Sequence, residues 1–182
     1  SRVYQVVAEI VTVNNEKVAA CSESFVVDTT PPFTLPTAAV HEVDPTVFVF
    51  GDESPSVNIA FVQSDPLSFT WHGFVDAESS NLGLLTYQFC VTQDSPAHTT
   101  CTVSPPGSPG ARTNVGAPID RWTDTTASGY HLHTNLGMVQ GKTYYVHIKA
   151  FNSAGLYTIM SSDGVFYDNS DPVPAAVADG VS

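Results

Sequence analysis

The sequence predicts an all-β chain whose strands close into an antiparallel sandwich, and three observations carry that expectation. Tyr144, Val146, Ile148 and Ala150 alternate with Tyr145, His147, Lys149 and Phe151, the period of a strand with one buried face. Asn152 to Gly155 has turn chemistry, and Gly164 to Asp168 reads as a returning strand that Pro172 and Pro174 end. The stretch from Thr143 to Pro174 is therefore the last hairpin of a sandwich, followed by an exit linker. No segment shows a convincing helical period.

Residues 1–32 read as a shorter version of that stretch. Tyr4, Val6, Ala8, Ile10 and Thr12 alternate, Asn14 to Lys17 turn, and Val18 to Val27 return. Asp28-Thr29-Thr30-Pro31-Pro32 then follows, as Tyr167-Asp168-Asn169-Ser170-Asp171-Pro172 follows the later hairpin. A recurrence at about 140 residues is read as an internal repeat. Two readings stand. In one, 1–32 is the C-terminal hairpin and linker of a preceding repeat, 33–172 is one enlarged sandwich, and 173–182 leads to the next module. In the other, 1–27 is a hairpin added to a single domain.

Residues 33–55 are Pro-rich and hold one apolar run, Val47 to Phe50, expected as a short edge strand before Gly51-Asp52. Val57 to Val62 alternates, Gln63 to Pro66 turns, and Leu67 to Trp71 alternates again with Leu67, Phe69 and Trp71 inward. Phe74 to Asn81 is expected as a loop and Leu85 to Val91 as a strand. Residues 102–118 are a loop by composition, Tyr130 to Thr134 is a strand, and Leu136 to Gly141 leads into the closing hairpin.

Composition bounds the partners. A chain of 182 residues at 42% hydrophobic can bury a core. Eighteen Asp plus Glu against six Lys plus Arg give a net charge of −12. That argues against nucleic acid and anionic lipid, which need clustered cations, and permits divalent cations. No apolar run approaches the ~20 residues of a membrane helix. With neither a signal peptide nor an initiator Met, Ser1 is expected to be a cut point in a longer polypeptide or the start of a mature product. Cys90 and Cys101 bracket a predicted hairpin and can close a short loop, a bridge commonly worth ~2–4 kcal/mol and implying an oxidising compartment. Cys21 is left over, as a buried free thiol or as the partner of a cysteine elsewhere in the parent protein.

Met138-Val139-Gln140-Gly141-Lys142-Thr143-Tyr144 resembles the tyrosine corner of fibronectin type III domains, with an apolar residue six before the Tyr and a Gly three before it. Tyr-x-Val-x-Ile-x-Ala-x-Asn at 144–152 matches that family's penultimate strand, and Trp71 stands where such domains keep a buried Trp. Trp-x-Gly-Phe-x-Asp-x-Glu-Ser at 71–79, with the Asp-Thr-Thr-Pro-Pro linker, resembles tandem modules of giant surface proteins. These include flagellar surface glycoproteins and mastigoneme-type proteins of algae and other protists. The likeness covers 57–174, plus 1–32 as a fragment. The domain is larger than the ~100 residues of an ordinary Ig-like sandwich, with the excess at 33–55 and 92–129. The resemblance implies a fibronectin-III/Ig-like sandwich with enlarged loops and a core that includes Trp71, Tyr144, Val146 and Ile148. It also implies a non-enzymatic structural or adhesive module, extracellular or at the cell surface, with neighbouring modules, other surface proteins or glycans as partners. A glycan- or peptide-binding accessory module of a secreted protein is the alternative.

Several residues are candidates for chemistry. Asp168, Asn169 and Asp171 at the exit, with Asp28 at the matching earlier exit, offer oxygens for calcium at a module junction, or cap turns before Pro. No other cofactor is expected. His131-x-His133 on a strand is a usable metal pair; His147 is expected to point outward from the opposite sheet, so all three read as solvent-exposed or as a weak site. Catalytic motifs are missing: there is no Gly-x-Ser-x-Gly, His-Glu-x-x-His or phosphate loop, and Asp76 with Glu78 is a lone acidic loop. No Asn-x-Ser/Thr acceptor occurs, but Ser104-Pro105-Pro106-Gly107-Ser108-Pro109 resembles an O-glycan or hydroxyproline acceptor as well as a plain loop. Tyr145, Phe151, Tyr157 and Trp122, if they share an exposed face, form a carbohydrate platform or a contact with a neighbouring domain.

Overall fold

The structure is a computed structural model and describes residues 2–43, 58–63, 66–77, 85–102, 120–125, 129–133 and 136–171. These form thirteen strands and one short turn of 3-10 helix at His98–Thr100. In chain order the strands are β1 (Arg2–Tyr4), β2 (Val7–Val11), β3 (Lys17–Cys21), β4 (Phe25–Val27), β5 (Phe33–Val43), β6 (Phe61–Val62), β7 (Leu67–Val75), β8 (Thr86–Gln93), β9 (Thr123–Thr125), β10 (Tyr130–His133), β11 (Lys142–Phe151), β12 (Tyr157–Ser161) and β13 (Val165–Tyr167). The protein is all-β, with antiparallel sheets.

Two sheets enclose the core. One has the order β10-β7-β5; the other has the order β6-β13-β11-β8-β9, with β12 pairing the far half of β11. Leu67, Phe69 and Trp71 point inward from β7 as their alternation predicts, facing Phe89 and Val91 of β8 and Tyr144, Val146 and Ile148 of β11. The rings interlock, Phe69 lying 5.3 Å from Phe89 and Trp71 5.6 Å from Tyr87 between centroids. Each fully buried side chain of this kind contributes roughly 1.5–3 kcal/mol. Glu42 lies opposite Phe69 in the β5–β7 register and so shares its inward face; its Oε1 accepts a hydrogen bond from Ser162 Oγ of the facing sheet.

Four expectations need correction. Residues 33–55 are not only a loop with a short strand, because Phe33–Val43 is an eleven-residue strand paired with β7. Pro36 hid it; a proline inside a run argues against a strand, but here the pairing register shifts between Thr34 and Ala39 and accommodates it. Gly73 makes this irregular pairing feasible. Its φ is +84°, and a Cβ there would lie 2.5 Å from Ala38. The expected edge strand at Val47–Phe50 lies outside the described residues.

Among the described residues of Val57–Val62, only Phe61 and Val62 form a strand, and it runs parallel to β13. Phe74 and Val75 continue β7 instead of opening a loop, and Phe74 packs edge-on to Tyr87 at 5.9 Å. Finally, β11 is not buried on one face only. Val146 to Ala150 are all buried, because β11 is a central strand and the chain after β8 folds over its outer face.

Candidate functional site

The hairpin that closes the sandwich occurs twice, and its bonds recur at residues 140 apart, as Thr12 and Asn152 are. Thr12 N–H donates to Glu16 O at 2.8 Å, and Asn152 N–H to Leu156 O at 3.0 Å. Asn15 N–H donates to Thr12 O, and Gly155 N–H to Asn152 O. Asn15 and Gly155 both take the left-handed conformation, φ 67° and 79°, which these two residue types tolerate. Ser22 receives Val6 N–H on its hydroxyl at 3.0 Å and returns its own N–H to Val6 O; Ser162 treats Val146 the same way. The strand registers match as well: Val7 pairs Cys21 as His147 pairs Ser161, and Tyr4 pairs Phe25 as Tyr144 pairs Val165.

The copies differ in what covers them. β8 pairs the free edge of β11 from Tyr144 to Phe151, and the β10-β7-β5 sheet closes over its inner face. Among the described residues no strand pairs the corresponding edge of β2. Tyr4, Val6, Val7, Ile10 and Phe25 are 42, 58, 60, 68 and 46% exposed, where Tyr144, Val146, His147, Ala150 and Val165 are all at 0%. An isolated two-stranded hairpin is marginally stable at best; Tyr4, Val6, Ile10 and Phe25 lie on one face and Val7, like His147, on the other, and an apolar face left open in this way marks a contact surface. Cys21 is exposed on the same hairpin, so it is not a buried thiol in this chain.

Between the two lies a joint. Asp28 to Pro32 leaves the first hairpin and enters β5 directly at Phe33. Asn152, only 5% exposed at the β11–β12 turn, holds it there. The Asn152 amide Nδ2 donates to Asp28 Oδ2 at 2.7 Å and to Thr30 O at 2.9 Å, while Oδ1 accepts Ala154 N–H at 3.1 Å and Leu156 N–H at 2.9 Å. One side chain thus organises its own turn and grips the incoming linker. Thr158 Oγ1 donates to Pro32 O, and Pro32 is fully buried. Asp28 Oδ1 accepts Thr30 N–H at 3.2 Å, closing a turn that recurs as Asp168 Oδ1 accepting Ser170 N–H at 3.0 Å.

The Tyr144 hydroxyl accepts Val139 N–H at 2.7 Å and donates to Gln93 Oε1 at 3.2 Å.

The candidate calcium residues are engaged in turn bonds. Asp168 Oδ1 also takes Ser170 Oγ and Gln140 Nε2, and Ser170's hydroxyl foremost holds the Asp168 carboxyl below its ordinary value. Asn169 Nδ2 reaches the Tyr167 hydroxyl, and Asp171 is exposed. Among the described residues no group of three or more His, Cys, Asp or Glu is placed to hold a metal ion.

His147 does not face solvent. It is fully buried, with Nε2 2.9 Å from Thr92 Oγ1 and Nδ1 2.7 Å from Ser161 Oγ, and burial, then the nearby His98, pushes it down to about 4. Tyr130–His133 pairs with β7 in the other sheet from the one that holds His147. Asp76 is buried at the end of β7, and Glu78 lies outside the described residues, as do Ser104, Pro105, Pro106, Ser108 and Pro109.

Three of the four candidate platform aromatics do meet, but around a lysine. Lys149 Nζ stands 3.9 Å from the Trp122 ring centre, 4.9 Å from Tyr157 and 5.7 Å from Phe151. Trp122 is buried, not exposed as expected, and burial lowers the Lys149 ammonium from its ordinary value. The ammonium stands over the Trp122 ring as a cation–π contact.

The Cys90–Cys101 disulfide forms across 11 residues and draws the His98 turn over His147. Reduction is expected to cost about 3 kcal/mol through loop-closure entropy. A thermal melt with and without dithiothreitol measures it; an unchanged midpoint would mean that the cover over β11 holds without the bridge.

Sequence reasoning missed Asn152, Glu42 and His147 as organising residues. The signal for Asn152 was its recurrence as Thr12 at the end of the same strand pattern, since both are short residues able to bond their own backbone. No protein-family profile, no curated protein and no solved structure matches the chain.

Proposed function

We propose that this chain is a structural, non-enzymatic repeat module of a large extracellular or cell-surface protein, a spacer whose ends are contacts between like modules. One observation carries the reading. The hairpin at 2–27 repeats the bonds of the hairpin at 142–167, yet its apolar face is open where the later one is closed by a whole sandwich. A preceding unit of the same build, contributing strands like β8 and β7, is what that face fits. Residues 1–32 then close the unit before, 33–172 form one unit, and 173–182 lead onward.

Further support comes from the sheet orders, β5-β7-β10 and β13-β11-β8, which read as A-B-E and G-F-C of an Ig-like sandwich. The Tyr144 corner supports the fibronectin-III/Ig-like assignment in the same way, and the disulfide accords with an oxidising, extracellular setting. Glycan binding as an accessory module has less behind it, because Lys149 occupies the aromatic cluster.

Deleting residues 1–27 while keeping the linker tests the reading. The unfolding free energy of the remainder is expected to stay within about 0.5 kcal/mol of the whole chain. A loss above about 2 kcal/mol would make the hairpin part of one domain and overturn the module boundary. A glycan-array signal that Tyr157→Ala abolishes without lowering stability would replace the spacer with a lectin.

A further inference from the structure

We propose that Asn152 is the receiver of a head-to-tail joint. It clamps the exit linker of the unit before, and this unit's own exit segment, Asp168 to Ser170, is the matching ligand for the same turn of a following unit that carries asparagine there, as this unit does where the earlier hairpin carries Thr12. The inference rests on the reading of the chain as one of several like units, and it adds the contact that fixes their relative orientation.

The first half of the joint is visible. The Asn152 amide spans a carboxylate and a carbonyl of the linker, Asp28 Oδ2 and Thr30 O, while Pro32 is buried and bonded through its carbonyl to Thr158. No residue intervenes between Pro32 and the first residue of β5. A linker held by three hydrogen bonds and a buried ring, running straight into a strand, leaves little rotational freedom between one unit and the next. The second half follows from the repeat. Asp168 and Ser170 adopt the turn of Asp28 and Thr30, with the same aspartate-to-backbone bond. The Asp168-to-Pro172 peptide therefore presents a carboxylate and a Ser170 carbonyl in the order that Asn152 reads in Asp28 and Thr30. The matching occupant is thus the linker of a like unit, because the receiver already holds one.

The clamp and the turn separate by mutation. Asn152→Asp keeps the Oδ1 acceptor for Ala154 and Leu156 but loses the amide donor and sets a carboxylate against Asp28. Backbone relaxation on the full chain is expected to give Asp28 to Thr30 order parameters near the rigid value of about 0.85, falling below about 0.6 in Asn152→Asp. The amides of Ala154 and Leu156 should be unchanged. For the second half, a further copy of residues 33–172 is inserted after Pro172, so that Pro172 meets Phe33 as Pro32 does. Asp168, Asn169 and Ser170 should then rigidify, and Asn152→Asp in the added copy alone should release them. Linker order indifferent to Asn152→Asp in the single chain would overturn the clamp. A clamp present there but absent at the second junction would overturn the repeated joint. The deletion of 1–27 reads unit boundaries independently, so neither result depends on it.

Discussion

Tyr144→Ala is expected to remove about 4 kcal/mol of stability, and Tyr4→Ala, the same residue type at the matching place in the earlier hairpin, less than about 0.5 kcal/mol. Tyr144 is fully buried in the centre of the core, and its hydroxyl bridges Val139 N–H and Gln93 Oε1. Truncation leaves a cavity in the core beside Gln93 and Val165, its partners in the strand registers, that a sandwich of paired strands collapses poorly into, and it orphans a backbone donor. Tyr144→Phe isolates the second term and should cost about 1 kcal/mol. Tyr4 stacks on Phe25 at 6.0 Å but is 42% exposed, so truncating it removes one surface contact. Urea unfolding of the three variants checks the set. A Tyr4→Ala cost near that of Tyr144→Ala would show that the first hairpin is packed within this chain, and the open face would have to be abandoned as the sign of a missing unit.

The asymmetry between those tyrosines marks what sequence could and could not disclose. Alternation exposed β11 and the inward set Leu67, Phe69 and Trp71, because a strand's period is local and needs no partner to be seen. The recurrence of the hairpin was visible for the same reason. Whether a face is covered is not local. Alternation alone places His147 in solvent, because it counts two faces and knows nothing of the His98 turn that lies over one of them beside the Cys90–Cys101 bridge. Trp122, isolated in sequence, gave no hint of Lys149. β5 is hidden in the sequence because Pro36 argues against a strand unless a register shift accommodates it. Asn152 reads as one more turn residue until the linker 124 positions earlier is seen to end on it. The all-β class and the core face are therefore legible, while the grip of Asn152 on the linker lies in contacts between distant segments.

The second large effect is one of opposed titrations. Glu42 lies between the sheets and is raised to about 7, by burial first; Ser162's hydroxyl works against that and Asp163 adds to it. His147, under the opposite cover, is lowered to about 4 by burial and then by His98. The signs oppose. Between pH 6.5 and 4 the unfolded chain holds the proton that folded His147 refuses, so His147 withdraws stability as pH falls through that window. Between pH 4.5 and 7 folded Glu42 keeps a proton that the unfolded chain has released, so Glu42 withdraws stability as pH rises through it. Each displacement corresponds to about 3 kcal/mol, and over the shared range the slopes cancel. The contribution of these two groups to the native protein is thus nearly flat from pH 4.5 to 6.5. Glu42→Gln, which preserves an acceptor for Ser162, should uncover a loss of about 3 kcal/mol on acidification from 6.5 to 4. His147→Gln should uncover a loss of similar size on raising pH from 4.5 to 7. Exposed carboxylates such as Asp94 and Asp168 affect all variants alike and drop out of the difference profiles. Denaturant unfolding in half-unit pH steps reads the result. Two single variants with the native profile would mean that neither group is held in its uncharged form by the fold, whereas opposite slopes in the two, restored to flatness in the double variant, would establish that the core carries a matched acid and base.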